Sequence, residues 1–288
     1  VISHDFDYQR PATIQEAVKA LSTAREAKVL AGGHSLLPLM KLGLTQPGTL
    51  VDIGGIASLR EIRSGASDVT IGALATHGAI ASDPSIGKTV TALAEAAGAV
   101  GDLQVRSRGT LGGSLAHADP AADEAAAVLA FDATLKAIGP KGERTIKATD
   151  FFKGTFETAL APNEILTEIR IASPAGGKTG SAYAAFPHPA SGFAVVGVAA
   201  VVTRGNDGSV TKAAIAVTGA AARPFRAAAA EKALQGTRGD AAAVAKAAAA
   251  AATGLTALDD IGASARFRTH LVSVFAARAI NTALERAK

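Results

Sequence analysis

The 288-residue chain contains no cysteine, which removes disulfides, thiolate nucleophiles, cysteine-ligated zinc and iron–sulfur clusters from the chemistry it can perform alone. Any such centre must sit on a partner. Aromatic residues are also scarce, 4% of the chain against 48% apolar residues overall, with alanine supplying much of the apolar share. Packing must therefore rest on many small side chains and close backbone contacts. Long apolar runs are missing too. The nearest, the alanine-rich segment 241–252, contains Lys246 and is too short to cross a bilayer. Val1-Ile2-Ser3-His4-Asp5-Phe6-Asp7 lacks the basic flank and apolar core of a secretory signal. The expectation is a cytoplasmic protein with no membrane span. The net charge is +4, but the basic residues are scattered without interleaved aromatics. That pattern disfavours nucleic acid and suits a nucleotide-type ligand or an acidic partner subunit.

Several chemical signatures are absent as well. There is no G-x-G-x-x-G after a first strand, no G-x-x-x-x-G-K-[ST], no H-E-x-x-H and no G-x-S-x-G, which disfavours Rossmann dehydrogenases, P-loop NTPases, zincins and α/β-hydrolases. The six histidines, His4, His34, His77, His117, His188 and His270, include no pair at i, i+3 or i+4. No metal site is expected, and no general acid, base or nucleophile is assigned.

What is present is a pair of glycine loops. In Lys28-Val29-Leu30-Ala31-Gly32-Gly33-His34-Ser35-Leu36-Leu37-Pro38-Leu39-Met40 an apolar run breaks at two glycines and a serine opens a new apolar segment. This is how a strand turns into a helix, and such a loop can cradle an anion on its backbone N–H groups. A second loop, Gly109-Thr110-Leu111-Gly112-Gly113-Ser114, repeats the arrangement with hydroxyls on either side of the glycine pair. Two cradles would suit a diphosphate at a domain junction. Two ordinary tight turns fit the spacing equally, and His34 and His117 read either as ligand contacts or as loop caps.

Around the loops the periodicity changes along the chain. Residues 13–27 have helical spacing, with Thr13 as N-cap and Glu16 as its capping-box partner. Strands follow at 28–31 and 49–53, giving a small α/β unit with a parallel crossover. A hairpin is expected over 59–74, helices over 76–99, and a helix over 121–130 that Asp119-Pro120 caps, with Asp123 and Glu124 favouring its dipole. Strands at 133–138, 144–147 and 164–171 precede Ser173-Pro174-Ala175-Gly176-Gly177-Lys178-Thr179-Gly180, the best linker candidate. Three β segments, 181–186, 194–204 and 210–217, and helices over 226–235, 240–252 and 265–287 complete the pattern.

Ala31-Gly32-Gly33-His34-Ser35-Leu36-Leu37-Pro38-Leu39-Met40-Lys41, then Leu50-Val51-Asp52-Ile53, Gly109-Thr110-Leu111-Gly112-Gly113-Ser114 and Asp119-Pro120-Ala121-Ala122-Asp123 stand in the order found in one family. The chain resembles the FAD-binding medium subunit of molybdenum hydroxylases, closest to the aerobic carbon monoxide dehydrogenase medium subunits. The resemblance implies an α+β fold, with a two-subdomain FAD-binding domain of the vanillyl-alcohol-oxidase type and a C-terminal three-stranded antiparallel sheet with helices. The implied domains are 1–177, with subdomains about 1–57 and 58–177, and 178–288, of the CO dehydrogenase flavoprotein type. It implies that Ala31, Gly32, Gly33, His34, Ser35 and Leu36, with Thr110, Leu111, Gly112, Gly113 and Ser114, hold the FAD pyrophosphate. Asp123 and Leu166 match residues at the cofactor. Ser114 replaces an asparagine common in the family, and Tyr183-Ala184-Ala185-Phe186 lacks a lysine that some relatives carry there.

The resemblance further implies an electron-transfer role. A large partner holds the molybdenum cofactor, a small partner holds two [2Fe–2S] clusters, and FAD in this chain passes electrons to an external acceptor, in a dimer of heterotrimers. A stand-alone FAD oxidoreductase and a non-redox nucleotide-binding or assembly protein are the alternatives.

Overall fold

A computed structural model of the chain describes residues 4–173 and 178–288. Its first layer consists of β1 (Asp7–Gln9), α1 (Ile14–Thr23), β2 (Ala27–Leu30), α2 (Leu36–Lys41) and β3 (Thr49–Asp52). The three strands form a parallel sheet in the order β1-β3-β2. Thr13 Oγ1 accepts from the Glu16 N–H at 3.2 Å, as expected of an N-cap. The Glu16 carboxylate reaches back to the Ala12 N–H rather than to Thr13. Strand β1 is an addition to the expected unit. It is three exposed residues long, too short to show a period.

The second layer begins with the expected hairpin, β4 (Ile62–Ser64) and β5 (Asp68–Gly72). Five short helices follow, α3 (His77–Ser82), α4 (Pro84–Thr89), α5 (Thr91–Ala99), α6 (Leu103–Arg108) and α7 (Leu111–His117). Next come α8 (Asp123–Ala130), β6 (Thr134–Gly139), β7 (Gly142–Lys147), α9 (Ala148–Phe151), β8 (Phe152–Gly154), β9 (Glu157–Thr158) and β10 (Ile165–Ala172). An antiparallel sheet runs β4-β5-β10-β6-β7. Helix α8 starts later than the sequence indicated. Its N-cap is Ala122, and the Asp119 carboxylate accepts from the Ala121 N–H in the turn before it.

The third unit contains β11 (Lys178–Pro187), β12 (Ala194–Arg204), β13 (Val210–Thr218), β14 (Phe225–Arg226), α10 (Ala228–Leu234), α11 (Ala241–Ala250) and α12 (Ala265–Arg286). The three long strands form the expected antiparallel sheet, and two residues of β14 add a fourth edge. Of the linker candidate, residues 174–177, and with them the boundary at 177, lie outside the described residues. Lys178, Thr179 and Gly180 belong to β11.

The scarcity of aromatics is answered by α8, every residue of which is buried. Its sequence after two carboxylates is Ala-Ala-Ala-Val-Leu-Ala, and it packs against α5 on one side and β12 and β13 on the other. Alanines allow that close approach, and larger side chains would force the layers apart.

Candidate functional site

The two glycine pairs, Gly32-Gly33 and Gly112-Gly113, are 80 residues apart in sequence, yet their loops meet edge to edge. A Cβ on Gly32 would overlap the Arg108 carbonyl oxygen and lie 2.8 Å from Gly109 Cα. A Cβ on Gly113 would come 3.8 Å from Ala31 Cβ. Beneath them opens a cavity of about 840 Å³. It is lined by Ala31, Gly32, Gly33, His34, Ser35 and Leu36 from the first loop, and by Thr110, Gly112, Gly113 and Ser114 from the second. Asp123 and Leu166 line the same space. Leu111 does not: its side chain is fully buried and its N–H donates to the Ala75 carbonyl at 3.0 Å.

The loops differ in what their backbones are free to do. Gly33 has φ of 76°, a left-handed turn that reverses the chain after β2. Among the described residues, the N–H groups of Gly32, Gly33, His34, Ser35 and Leu36 have no protein acceptor. The second loop spends its donors from Leu111 to Ser114 on the fold, and of its residues 110–114 only Thr110 keeps an N–H without a protein acceptor among the described residues. Leu111 and Gly112 donate to the carbonyls of Ala75 and Ala73, Gly113 donates to Thr110 Oγ1 at 3.1 Å, and Ser114 donates to the Thr110 carbonyl. The expectation that N–H groups of both loops converge on one anion is thus corrected. The first loop offers five of them, while the second braces it, keeps only the Thr110 N–H unpaired among the described residues and faces the cavity with Thr110 and Ser114. The reason is tertiary, because a segment at 73–75 supplies carbonyls that the local sequence does not reveal.

His34 Nδ1–H donates to the Gly32 carbonyl at 2.9 Å and so closes its own loop. The ring of His117 packs on Phe156 at 4.9 Å between centroids, and burial lowers its affinity for a proton. Both rings also line the cavity.

The acidic pair at the start of α8 is not explained by the helix dipole. Asp123 and Glu124 are 5% and 0% exposed. Glu124 Oε1 lies 2.8 Å from His77 Nδ1, and Tyr183 donates to Asp123 Oδ1 at 2.6 Å. Burial pushes the Asp123 carboxyl up to about 7, against the Tyr183 hydrogen bond, and the Glu124 charge adds to the rise. Burial alone would lower His77, but the Glu124 charge and hydrogen bond outweigh it and raise the imidazole above its ordinary value.

The native state holds more of the Asp123 and His77 protons than the unfolded chain, so stability falls as pH rises toward about 7. The urea midpoint is expected to decline between pH 5.5 and 8 and to decline less in Asp123→Asn. A wild-type midpoint that climbs across that range contradicts these protonation states.

Other lining residues were not marked as ligand contacts by the sequence: His77, Leu160, Ile165 and the Ser191-Gly192-Phe193 loop, with Asp119 read there only as a cap and a motif residue. They arrive from elements distant in sequence, and nothing in their local pattern marks a ligand. Among the described residues, no group of three or more His, Cys, Asp or Glu side chains could hold a metal ion, and no helix is long and apolar enough to cross a membrane.

Residues 4–174 match the family described as the FAD binding domain in molybdopterin dehydrogenase, and residues 181–283 match the CO dehydrogenase flavoprotein C-terminal domain. The chain belongs to the FAD-binding medium-subunit family of molybdenum hydroxylases. It is 39% identical over 282 residues to the carbon monoxide dehydrogenase medium chain of Hydrogenophaga pseudoflava, with 98% of each chain covered. It is 34% identical to the nicotine 6-hydroxylase medium subunit of Paenarthrobacter nicotinovorans, covering 95% of each. Among solved structures, carbon monoxide dehydrogenase from Hydrogenophaga pseudoflava superimposes with a TM-score of 0.95 at 40% identity, over 100% of both chains. As in the rest of this medium-subunit family, the chain is part of an oxidoreductase, and its N-terminal region is an FAD-binding domain.

Proposed function

We propose that this chain holds FAD in the cavity under the Gly32-Gly33 loop and acts as the electron-transfer flavoprotein of a heterotrimeric molybdenum hydroxylase. The observation that carries the reading is the run of five N–H groups, Gly32 to Leu36, without protein acceptors among the described residues and lining a cavity of about 840 Å³. A pyrophosphate brings the acceptor oxygens and charge that such a run binds. The cavity lies within the roughly 300–1,000 Å³ usual for small-molecule sites. Ala31 to Leu36 would hold the pyrophosphate, Thr110 to Ser114 would brace it, and Asp123 and Leu166 would meet the rest of the cofactor.

When bound, the flavin supplies the redox chemistry, and the protein supplies binding, orientation and tuning. Electrons reach it from [2Fe–2S] clusters on a small partner after substrate oxidation at a molybdenum cofactor on a large partner, and leave to an external acceptor. The absence of cysteine supports this division, because the chain cannot ligate the clusters. Relatives named as medium chains support a three-chain assembly. A dimer of such heterotrimers in the cytoplasm completes the reading. Domains at 1–177, divided near 57, and 178–288 are supported by the break between the two family matches at 174 and 181.

The purified chain, supplied with FAD, is expected to show flavin absorption bands and to oxidise neither carbon monoxide, aldehydes nor N-heterocycles until partner chains are added. Absence of flavin bands after FAD is supplied would sink the reading. Turnover by the isolated chain would replace it with a stand-alone oxidoreductase.

A further inference from the structure

Asp123 and Glu124 are neighbours in the chain and both are buried, yet they are partnered unequally. Glu124 faces the His77 imidazole at 2.8 Å, while Asp123 meets only the neutral phenol of Tyr183. One imidazolium offsets one buried carboxylate, and a second ionised carboxylate beside the first is opposed by both burial and repulsion. That arrangement leaves a proton on Asp123. Its Oδ1 is committed to the Tyr183 hydroxyl at 2.6 Å. The proton therefore belongs on Oδ2, the oxygen that Tyr183 does not occupy, on a side chain that lines the cavity.

Tyr183 is delivered to this place with some care. Its N–H donates to Glu95 Oε2 at 2.8 Å, Arg286 holds Glu95 Oε1 at 2.6 Å, and Arg286 also donates to the Ser181 carbonyl. On the adjacent strand Gly197 leaves the phenol its space. A Cβ there would overlap the Tyr183 hydroxyl oxygen and lie 2.8 Å from Cζ. Tyr183 itself is not among the residues that line the cavity.

We propose that Tyr183 is a positioning residue that fixes the Asp123 carboxyl so that Oδ2 presents a proton to acceptor atoms of the cofactor. This rests on the reading of the cavity as the FAD site. The other titratable groups on elements around Asp123 are Glu95 on α5, Arg106 on α6, which acts on His77, and His117 on α7. Lys212 and Arg226 approach the opposite end of α8, where both pair with Asp132.

Infrared titration of the full chain without added cofactor tests the proton directly. A protonated-carboxyl C=O band, absent from Asp123→Asn, is expected at pH 6 and should disappear through neutral pH. Tyr183→Phe removes a hydrogen bond that favours the ionised form, so the midpoint should rise by about one pH unit. Gly197→Ala, which displaces the phenol without altering its chemistry, should move the midpoint the same way. No such band at pH 6, or a midpoint unmoved in both variants, overturns the proposal. Flavin spectra after FAD addition form a separate arm: Asp123→Asn, a neutral donor, should retain FAD. Loss of FAD in Asp123→Asn, with wild type loaded, overturns the proton-donor role alone. A wild-type chain that binds no FAD sinks the cofactor reading and the cofactor-facing half of the proposal together, whatever the infrared midpoints show.

Discussion

Gly32→Val is expected to leave the chain folded but unable to retain FAD, with affinity reduced roughly 100-fold or more, the equivalent of about 3 kcal/mol. The cause is backbone against backbone. The new Cβ would overlap the Arg108 carbonyl oxygen and lie 2.8 Å from Gly109 Cα and 3.0 Å from the Arg108 carbonyl carbon. No side-chain rotation relieves such a contact, so one loop must withdraw from the other. Withdrawal of the first loop carries the five free N–H groups with it. Gly33→Val should act by a different route, because φ of 76° strains a β-branched residue and Leu37 Cδ1 stands 3.0 Å from the added Cβ. Gly43 is the control. It also has positive φ, 72°, but nothing lies within 4 Å of its added Cβ, so Gly43→Ala should cost only about 1 kcal/mol of backbone strain and keep its flavin. Flavin absorbance per chain after reconstitution, beside a far-ultraviolet spectrum to show the fold, decides the matter. Full retention by Gly32→Val would mean that the meeting of the loops is not what holds the cofactor.

Arg268→Met carries the largest expected loss of stability, about 3–5 kcal/mol, because it removes a buried charge with four hydrogen bonds. Arg268 is 6% exposed. It donates to the carbonyls of Val195 and Gly219, each at 2.7 Å, and grips both carboxylate oxygens of Asp260 at 2.8 Å. These bonds fasten α12 to the start of β12, to the chain after β13 and to the 259–263 turn at once. Methionine fills comparable space but leaves two buried carbonyl oxygens without donors. A fall in Tm of roughly 5–8 °C by calorimetry follows for a chain of this size. A fall of less than about 2 °C would show that the cluster is neutral to stability. Asp260 adds a pH signature. Burial raises its carboxyl, but the Arg268 bonds and the Ala263 and Gly262 N–H groups outweigh burial and hold it below its ordinary value. Its contribution is present above the unfolded carboxylate pKa and is lost as pH falls through the lower folded one. Arg268→Met should therefore lose less on acidification than wild type.

How much of this could be read beforehand depends on the distance over which each feature is determined. The Thr13 cap, the hairpin at 62–72 and the strand-to-helix turn at Gly32-Gly33 are set by residues within a few positions of one another, and the structure has them. Helix α8 starts two residues later than its sequence pattern indicates, since Asp119 caps a turn rather than the helix. The acidic pair was legible as chemistry but not as environment. A dipole-favouring surface pair and a buried pair bonded to His77 and Tyr183 look alike in sequence, because those partners lie 47 and 60 residues away.

By itself, the sequence determined the periodicities of the parallel sheet and of the two larger antiparallel sheets, the strand-to-helix turn at Gly32-Gly33, and, through the lack of cysteine, that no iron–sulfur cluster can be ligated here. It also carried the motif order that places the chain in its family. Only the tertiary structure decided that the first glycine loop keeps the N–H groups of Gly32 to Leu36 free while the second gives those of Leu111 to Ser114 to Ala73, Ala75 and Thr110. It alone brought Tyr183 to Asp123 and Arg268 to Val195. The physical reason is that a buried polar group must find its partner wherever the packed chain supplies one, and that choice is made by the path of the whole backbone.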